Sequence, residues 1–297
     1  MFKYRGKYYM CASDLYGWDS SFAYYLVSDD VRGPYLPANE MLVMPGCEDD
    51  FAHVTQTGFF YTLKGTLQET VIYCGDRWAD FAGNGWGYNQ WFPLSFEGEV
   101  PYFNSLSAWY LHEKTGEWKV AEDNNYVKNG SFEADRRLIP NPVKPPQEDL
   151  LGWKTEIIEG NRVAINDSLS PVLNRFNTES DRRIVIGEKC MQISDITDFK
   201  RRVSQTITSS PYVELADGYY SLSAMIKNTG GFDKLSMYAV SRGEKYELSV
   251  DKENLNWEAI QLDEVYVSQG RVEIGFYAEG QADAGAWIDD IVLIRNP

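Results

Sequence analysis

The stretch QTGFFYTLKGTLQETVIYCGDRWADFAGNGWGYNQWFPLSF, residues 56–96, carries strand and turn signals around which the rest of the chain can be arranged. Its first two apolar runs, 58–63 and 70–74, are rich in the aromatic and β-branched residues that suit a pleated surface, and Lys64-Gly65-Thr66 between them supplies a hairpin turn. The second run passes through Gly75-Asp76-Arg77-Trp78 into a Gly- and Asn-rich loop. It returns as Trp91-Phe92-Pro93-Leu94, where a proline, lacking an N–H, predicts an edge strand or a bulge. Polar and aromatic groups are thereby gathered at strand ends. Gln56, Asp76, Arg77, Trp78, Tyr88, Gln90 and Trp91 read either as the lining of a cleft for a polar, ring-shaped ligand or as edge aromatics packed between sheets.

On the amino-terminal side, residues 2–12 read as a hairpin turning at Arg5-Gly6, and residues 22–28 as a further strand closed by turn signals at Asp29-Asp30 and Gly33-Pro34. Hairpin cores recur near Tyr8, Phe59 and Trp109, a period of about 50 residues that suits the blades of a β-propeller. Two and a half such units are expected before residue 126, fewer than a closed ring needs. Aromatic residues thin out beyond this point, so the expected domains are 1–126 and 127–297. A proline-rich loop, 140–146, opens the second part. From residue 183 onward short strands alternate with turns, with period-2 patterning clear in GYYSLSAMIKN (218–228) and VEIGFY (272–277). The reading is all-β: an incomplete five-bladed propeller followed by a jelly-roll β-sandwich.

The chain has 297 residues, enough for two domains with real cores, and 28 Lys and Arg against 44 Asp and Glu give a net charge of -16. That charge opposes binding to a phosphate backbone, so no nucleic acid is expected as a partner. Cys11, Cys47, Cys74 and Cys190 form no CxxC pair, and with only His53 and His112 besides, a transition-metal centre is not expected, whereas a hard-ion site of oxygen ligands is compatible. No apolar run approaches the about 18 residues of a membrane span, and the first residues lack a signal-peptide core.

The motifs MFKYRGKYYMCAS, YGWD, HVTQTGFF, VIYCGDRW and NQWFPLSF, in this order and spacing, resemble the last blades of the five-bladed propeller of glycoside hydrolase family 43, in its galactanase- and arabinofuranosidase-like branch. The resemblance implies hydrolysis, with inversion, of arabinofuranosyl, galactosyl or xylosyl linkages in plant-type polysaccharides, by two carboxyl groups about 6.5–9.5 Å apart. In the family the general acid precedes the segment matched by MFKYRGKYY and the other two acids lie on earlier blades. The acid, the base and the amino-terminal blades are therefore expected outside this sequence, in a parent that is secreted or periplasmic. Asp19, Asp76 and the pairs Asp29-Asp30 and Asp49-Asp50 are not expected to replace them.

The resemblance also implies roles for individual residues. Gln56 matches a glutamine that holds the attacking water, the alternative being an amide bonded to strand backbone. His53 matches a histidine on the propeller axis, the alternative being a satisfied core residue. Trp18 and Asp19 match a loop at the mouth of the pocket, Tyr88 stands where many members carry an arginine, and Arg77 and Trp91 complete the expected sugar contacts.

Residues 127–297 resemble the carbohydrate-binding jelly rolls that open with NGSFE (129–133) and close with a W-x-DD motif, here WIDDI (287–291). The resemblance implies an oligo- or polysaccharide ligand and a structural Ca2+ held by Glu133 and Asp290, with Asp289 as the alternate ligand. Without the ion, the same acids would bond loop amides. The other reading of the whole chain is a non-catalytic carbohydrate-binding or interaction protein that retains a partial propeller.

Overall fold

The computed structural model describes residues 1–14, 19–78, 87–134, 149–163, 165 and 173–297, without the Tyr88 side chain. The chain divides into two units, Met1–Asn124 and Asn125–Pro297, and every strand pairing in both is antiparallel. The all-β expectation holds. The described residues add only one turn of 3-10 helix and a four-residue left-handed turn. No helix among them is long and apolar enough to cross a membrane.

In the first unit, β1 (Phe2–Tyr4) and β2 (Lys7–Ala12) make the expected hairpin, with Arg5 and Gly6 both at positive φ. β3 (Tyr24–Ser28) and β4 (Leu42–Val43) extend it to a four-stranded meander. A second meander follows in β5 (Gln56–Lys64), β6 (Glu69–Arg77), β7 (Tyr88–Glu97) and β8 (Val100–Phe103), and then the pair β9 (Trp109–Leu111) and β10 (Trp118–Val120). The aromatic richness of this half fills its interior: Tyr73 meets Phe103 edge-on at 5.1 Å, Phe92 lies 5.2 Å from Phe103, and Phe2 stacks on Tyr9 at 4.6 Å.

Pro93 does not make β7 an edge strand. β7 pairs with β6 over Tyr88 to Pro93 and with β8 over Leu94 to Glu97, so the proline sits where pairing passes from one neighbour to the other. A missing N–H costs least at such a handover, and the Pro93 carbonyl accepts from Asn104 Nδ2 at 2.8 Å.

The second unit contains β11 (Lys154–Glu159), β12 (Asn174–Phe176), β13 (Lys189–Ser194), β14 (Phe199–Thr208) and β15 (Gly218–Asn228). These are followed by β16 (Phe232–Ser241), β17 (Glu244–Ser249), β18 (Asn254–Val267), β19 (Arg271–Gly280) and β20 (Gly285–Arg295). They form two five-stranded sheets, ordered β11-β14-β19-β16-β17 and β12-β13-β20-β15-β18. Val203, Met237 and Ile274 of the first sheet share one buried cluster with Met191, Leu222, Val265 and Ile288 of the second.

Period-2 patterning sets which side chains face outward. Along β15, Tyr220, Leu222, Ala224 and Ile226 are buried in this core, so Ser221, Ser223, Met225 and Lys227 stand on the opposite face of the sheet. The start and end of the unit are neighbours, because Tyr126 N donates to Leu293 O (3.1 Å) and Ile291 N to Gly130 O (3.0 Å).

Candidate functional site

In the first unit the strand ends bring some of the expected residues together. Gln56, at the start of β5, donates Nε2 to the backbone O of Asp19 (2.8 Å) and accepts from Trp78 Nε1 at Oε1 (3.2 Å). Arg77 bonds Gln90 Oε1 through Nη1 (3.2 Å), and Asn89 Nδ2 donates to Asp76. These bonds make three polar groups at the ends of β5, β6 and β7: Gln56 with Asp19 and Trp78, Arg77 with Gln90, and Asp76 with Asn89.

Trp91 is not with them. It is half-exposed, meets Phe59 edge-on at 6.3 Å, and its carbonyl accepts from Trp109 Nε1. Trp91 shares a face of β7 with Asn89 but stands two residues further along, opposite Cys74 and not Asp76, where its ring meets Phe59. Trp18 and the Tyr88 side chain lie outside the described residues, as does the proline-rich loop.

His53 belongs to a separate arrangement. Residues Phe51, Ala52, His53 and Val54 all have φ between 46° and 61°, a left-handed turn that costs L-residues about 1–2 kcal/mol each. Asp50 caps it by accepting from His53 N at 2.9 Å. The Ser105 hydroxyl donates to Asp50 Oδ2, and its oxygen stands 2.9 Å from His53 Nδ1. The imidazole also lies against Phe92, with centroids 5.0 Å apart.

The second unit carries a pocket of about 330 Å³ on the outer face of the β12-β13-β20-β15-β18 sheet, lined by Phe176, Thr178, Asp181, Cys190, Lys227, Asn228, Thr229, Leu255 and Trp287. Register builds its floor: Lys227 pairs with Trp287, and Trp287 with Gln192. Gly285, two residues before Trp287 on β20, leaves room for the indole, since a Cβ there would stand 3.0 Å from Trp287 Cη2. Phe176 and Leu255, 48% and 65% exposed, add apolar surface at the rim.

Asp181, on the short 3-10 turn Asp181–Arg183, closes one wall. Its Oδ1 accepts from Lys227 Nζ (2.7 Å) and Trp257 Nε1 (2.8 Å), and its Oδ2 from Thr178 N (3.0 Å) and Oγ1 (2.7 Å). Burial pushes the carboxyl pKa up, but these hydrogen bonds outweigh it and leave it at about 2. The Lys227 ammonium lies over two indoles, 4.8 Å from the Trp257 centroid and 5.6 Å from that of Trp287.

The two acids expected to hold Ca2+ reach one loop from opposite ends of the unit. Glu133 Oε1 accepts from Lys189 N (2.7 Å), and Asp290 Oδ2 from Ile186 N (3.2 Å). Gly187 between them has φ +93, and a Cβ there would collide with the Glu133 carboxyl. Asp289 is fully buried and accepts from Asn177 Nδ2 at 3.1 Å. Burial first, then the neighbouring Asp290 and Glu133, push its pKa well above the carboxylate range. Among the described residues, no three Asp, Glu, His or Cys side chains are grouped so as to hold a metal ion.

No protein-family model and no curated protein matches the chain. Among solved structures it is similar to TmCBM61 in complex with β-1,4-galactotriose, at 20% identity and a TM-score of 0.41, over 58% of this chain and 99% of that one. It is also similar to the exo-β-1,3-galactanase Pc1,3Gal43A from Phanerochaete chrysosporium with galactose, at 17% identity and a TM-score of 0.38. That match covers 98% of this chain, which spans 55% of the galactanase's length. A family 11 carbohydrate-binding module from Clostridium thermocellum, in complex with a β-1,3-1,4-mixed-linked tetrasaccharide, matches 50% of this chain and 91% of its own at 13% identity and a TM-score of 0.31.

Proposed function

We propose that this is a carbohydrate-active protein of the glycoside hydrolase family 43 type, its first unit a set of propeller blades and its second a glycan-binding jelly roll. The pocket beside Trp287 carries the reading. An indole floor, apolar rim residues and fixed polar groups are what a pyranose, with its C–H faces and hydroxyl edge, requires. Retardation of the full chain in polysaccharide-containing gels, abolished by Trp287→Ala, is the expected result. Equal mobility with and without polysaccharide across neutral and acidic glycans would remove the reading.

Hydrolysis of arabinofuranosyl, galactosyl or xylosyl linkages remains the activity proposed from the sequence motifs. The alternative proposed is a non-catalytic, carbohydrate-binding role for this chain. Release of nitrophenol from aryl glycosides, lost on Asp76→Asn, would decide for catalysis. We further propose a structural Ca2+ at Glu133 and Asp290, where two carboxylates meet one loop. Backbone carbonyls and water would complete its oxygen shell.

A further inference from the structure

We propose that the pocket beside Trp287 prefers an acidic sugar, a uronate residue within an oligosaccharide, over its neutral counterpart. This rests on the glycan-binding reading of the same pocket and concerns which glycan it takes.

A neutral sugar hydroxyl both donates and accepts, so pockets for neutral sugars need acceptors as well as donors. Here most side-chain acceptors are already engaged. Both Asp181 oxygens receive two donors each. Asn228 Oδ1 accepts from Gly230 N at 2.8 Å, and the Thr229 hydroxyl is engaged with Gly285 N and O. The Thr178 hydroxyl serves Asp181 and Ser180.

The donors are not spent. Among the described residues, the Lys227 ammonium makes one hydrogen bond, to Asp181, and has three N–H groups. On the other side of Trp287, Gln192 is its register partner and accepts from Nε of the exposed Arg175, whose terminal guanidinium nitrogens bond no acceptor among the described residues. Strands lie about 4.8 Å apart, so Lys227 stands one strand to one side of Trp287 and Arg175 two strands to the other, offsets that their long side chains can span.

Charge agrees with donor count. Lys227 and Asp181 balance within the pocket, and Arg182 pairs with Glu188 on the loop beside it at 3.3 Å. Arg175 has no acidic partner among the described residues, so no ion pair there neutralises its positive charge. A pyranose stacked on Trp287 would present a ring carboxylate at its edge, where a cation stands on either side. Such charge-assisted bonds are stronger than those to a neutral hydroxyl. The molecule's overall negative charge acts at longer range and is largely screened beyond about 8 Å at physiological salt.

The test is calorimetric titration of the full chain with galacturonate and glucuronate oligomers, each beside its methyl ester, which keeps size and shape but removes the charge. The acids should bind about tenfold tighter than their esters, and the ratio should shrink as salt is raised. Arg175→Met, on an exposed side chain, and Lys227→Met should each narrow the ratio while ester binding persists; Trp287→Ala should abolish both. Esters binding as tightly as acids would overturn the charge preference and leave the glycan pocket standing. No binding by any member of the panel, with Trp287→Ala indistinguishable from the unmodified chain, would overturn both.

Discussion

Lys227 stands directly opposite Trp287 in the register of β15 and β20, and its ammonium reaches across both that indole and Trp257 to Asp181. An aliphatic stem laid along aromatic rings gives up rotamer freedom before any ligand arrives, so the wall beside Trp287 is already ordered. Binding should therefore depend on the indole face more than on any single polar group. Trp287→Ala should weaken glycan binding by at least about 30-fold, enough to abolish gel retardation and a calorimetric signal, since an aromatic anchor is worth about 2 kcal/mol or more. Because the ring lies on the outer face of its sheet, the melting temperature should change little. Affinity electrophoresis and a thermal melt separate the two effects; full binding by a folded variant would place the site elsewhere.

The Asp181 carboxyl gives the loop over the pocket an acid-side dependence. Its folded pKa of about 2 lies below the ordinary value of about 3.9, so its contribution is complete above pH 4 and is lost as pH falls from there through 2. On linkage the contribution is on the order of 2 kcal/mol, from a side chain only 13% exposed. Unfolding curves of the unmodified chain and Asp181→Asn, taken from pH 6 down to pH 2, should converge across that window. A constant gap would mean that Asp181 is not held as the anion.

Sequence patterning reached the strands and missed the loop that makes the pocket. The alternation in residues 218–228 places Lys227 on the wet face, and WIDDI flags Trp287, but nothing in the sequence joins them. Their pairing comes from β15 and β20, whose connection passes through four other strands. Asp181 has no sequence signal at all, because its role depends on a short turn folding over Trp257.

In the first unit Gln56 and Trp78 meet as the strand-end reading expects. Trp91, grouped with them by spacing, stands two residues further along β7 from Asn89, opposite Cys74, where its ring meets Phe59. The short strands β12 and β17 and the charged β11 escaped notice for want of an apolar period. They are edge or near-edge strands, whose outward positions are free to be polar.

Calcium should raise the melting temperature of the full chain relative to chelator. At one hundred times its dissociation constant a ligand contributes about 2.7 kcal/mol to the folded state. Glu133→Gln and Asp290→Asn should each abolish the difference, and Asp251→Asn, at a partly exposed position outside the proposed site, should leave it intact. Gly187→Ala should act as Glu133→Gln does, since a methyl group there displaces the Glu133 carboxyl. Identical melts with calcium and with chelator would exclude the ion.

The most severe single substitution expected in the second unit is at a buried ion pair. Arg201 occupies a core-facing position of β14, with its side chain 1% exposed, and its guanidinium bonds Asp195, the Ser194 carbonyl and the Asn161 carbonyl. Asp195 is held in turn by Asn161 N (2.8 Å), Asn161 Nδ2 (2.7 Å) and Ile196 N (2.7 Å). Removing one partner strands the other's charge in a nearly water-free setting, at about 3–5 kcal/mol. For a unit of this size that lowers the melting temperature by about 10 °C. Asp195→Asn should show this loss, and so should Arg201→Met. The double variant should lose clearly less than the sum, because neither charge is then left unpaired. Additive losses would show that the two residues contribute through separate contacts and not as a pair.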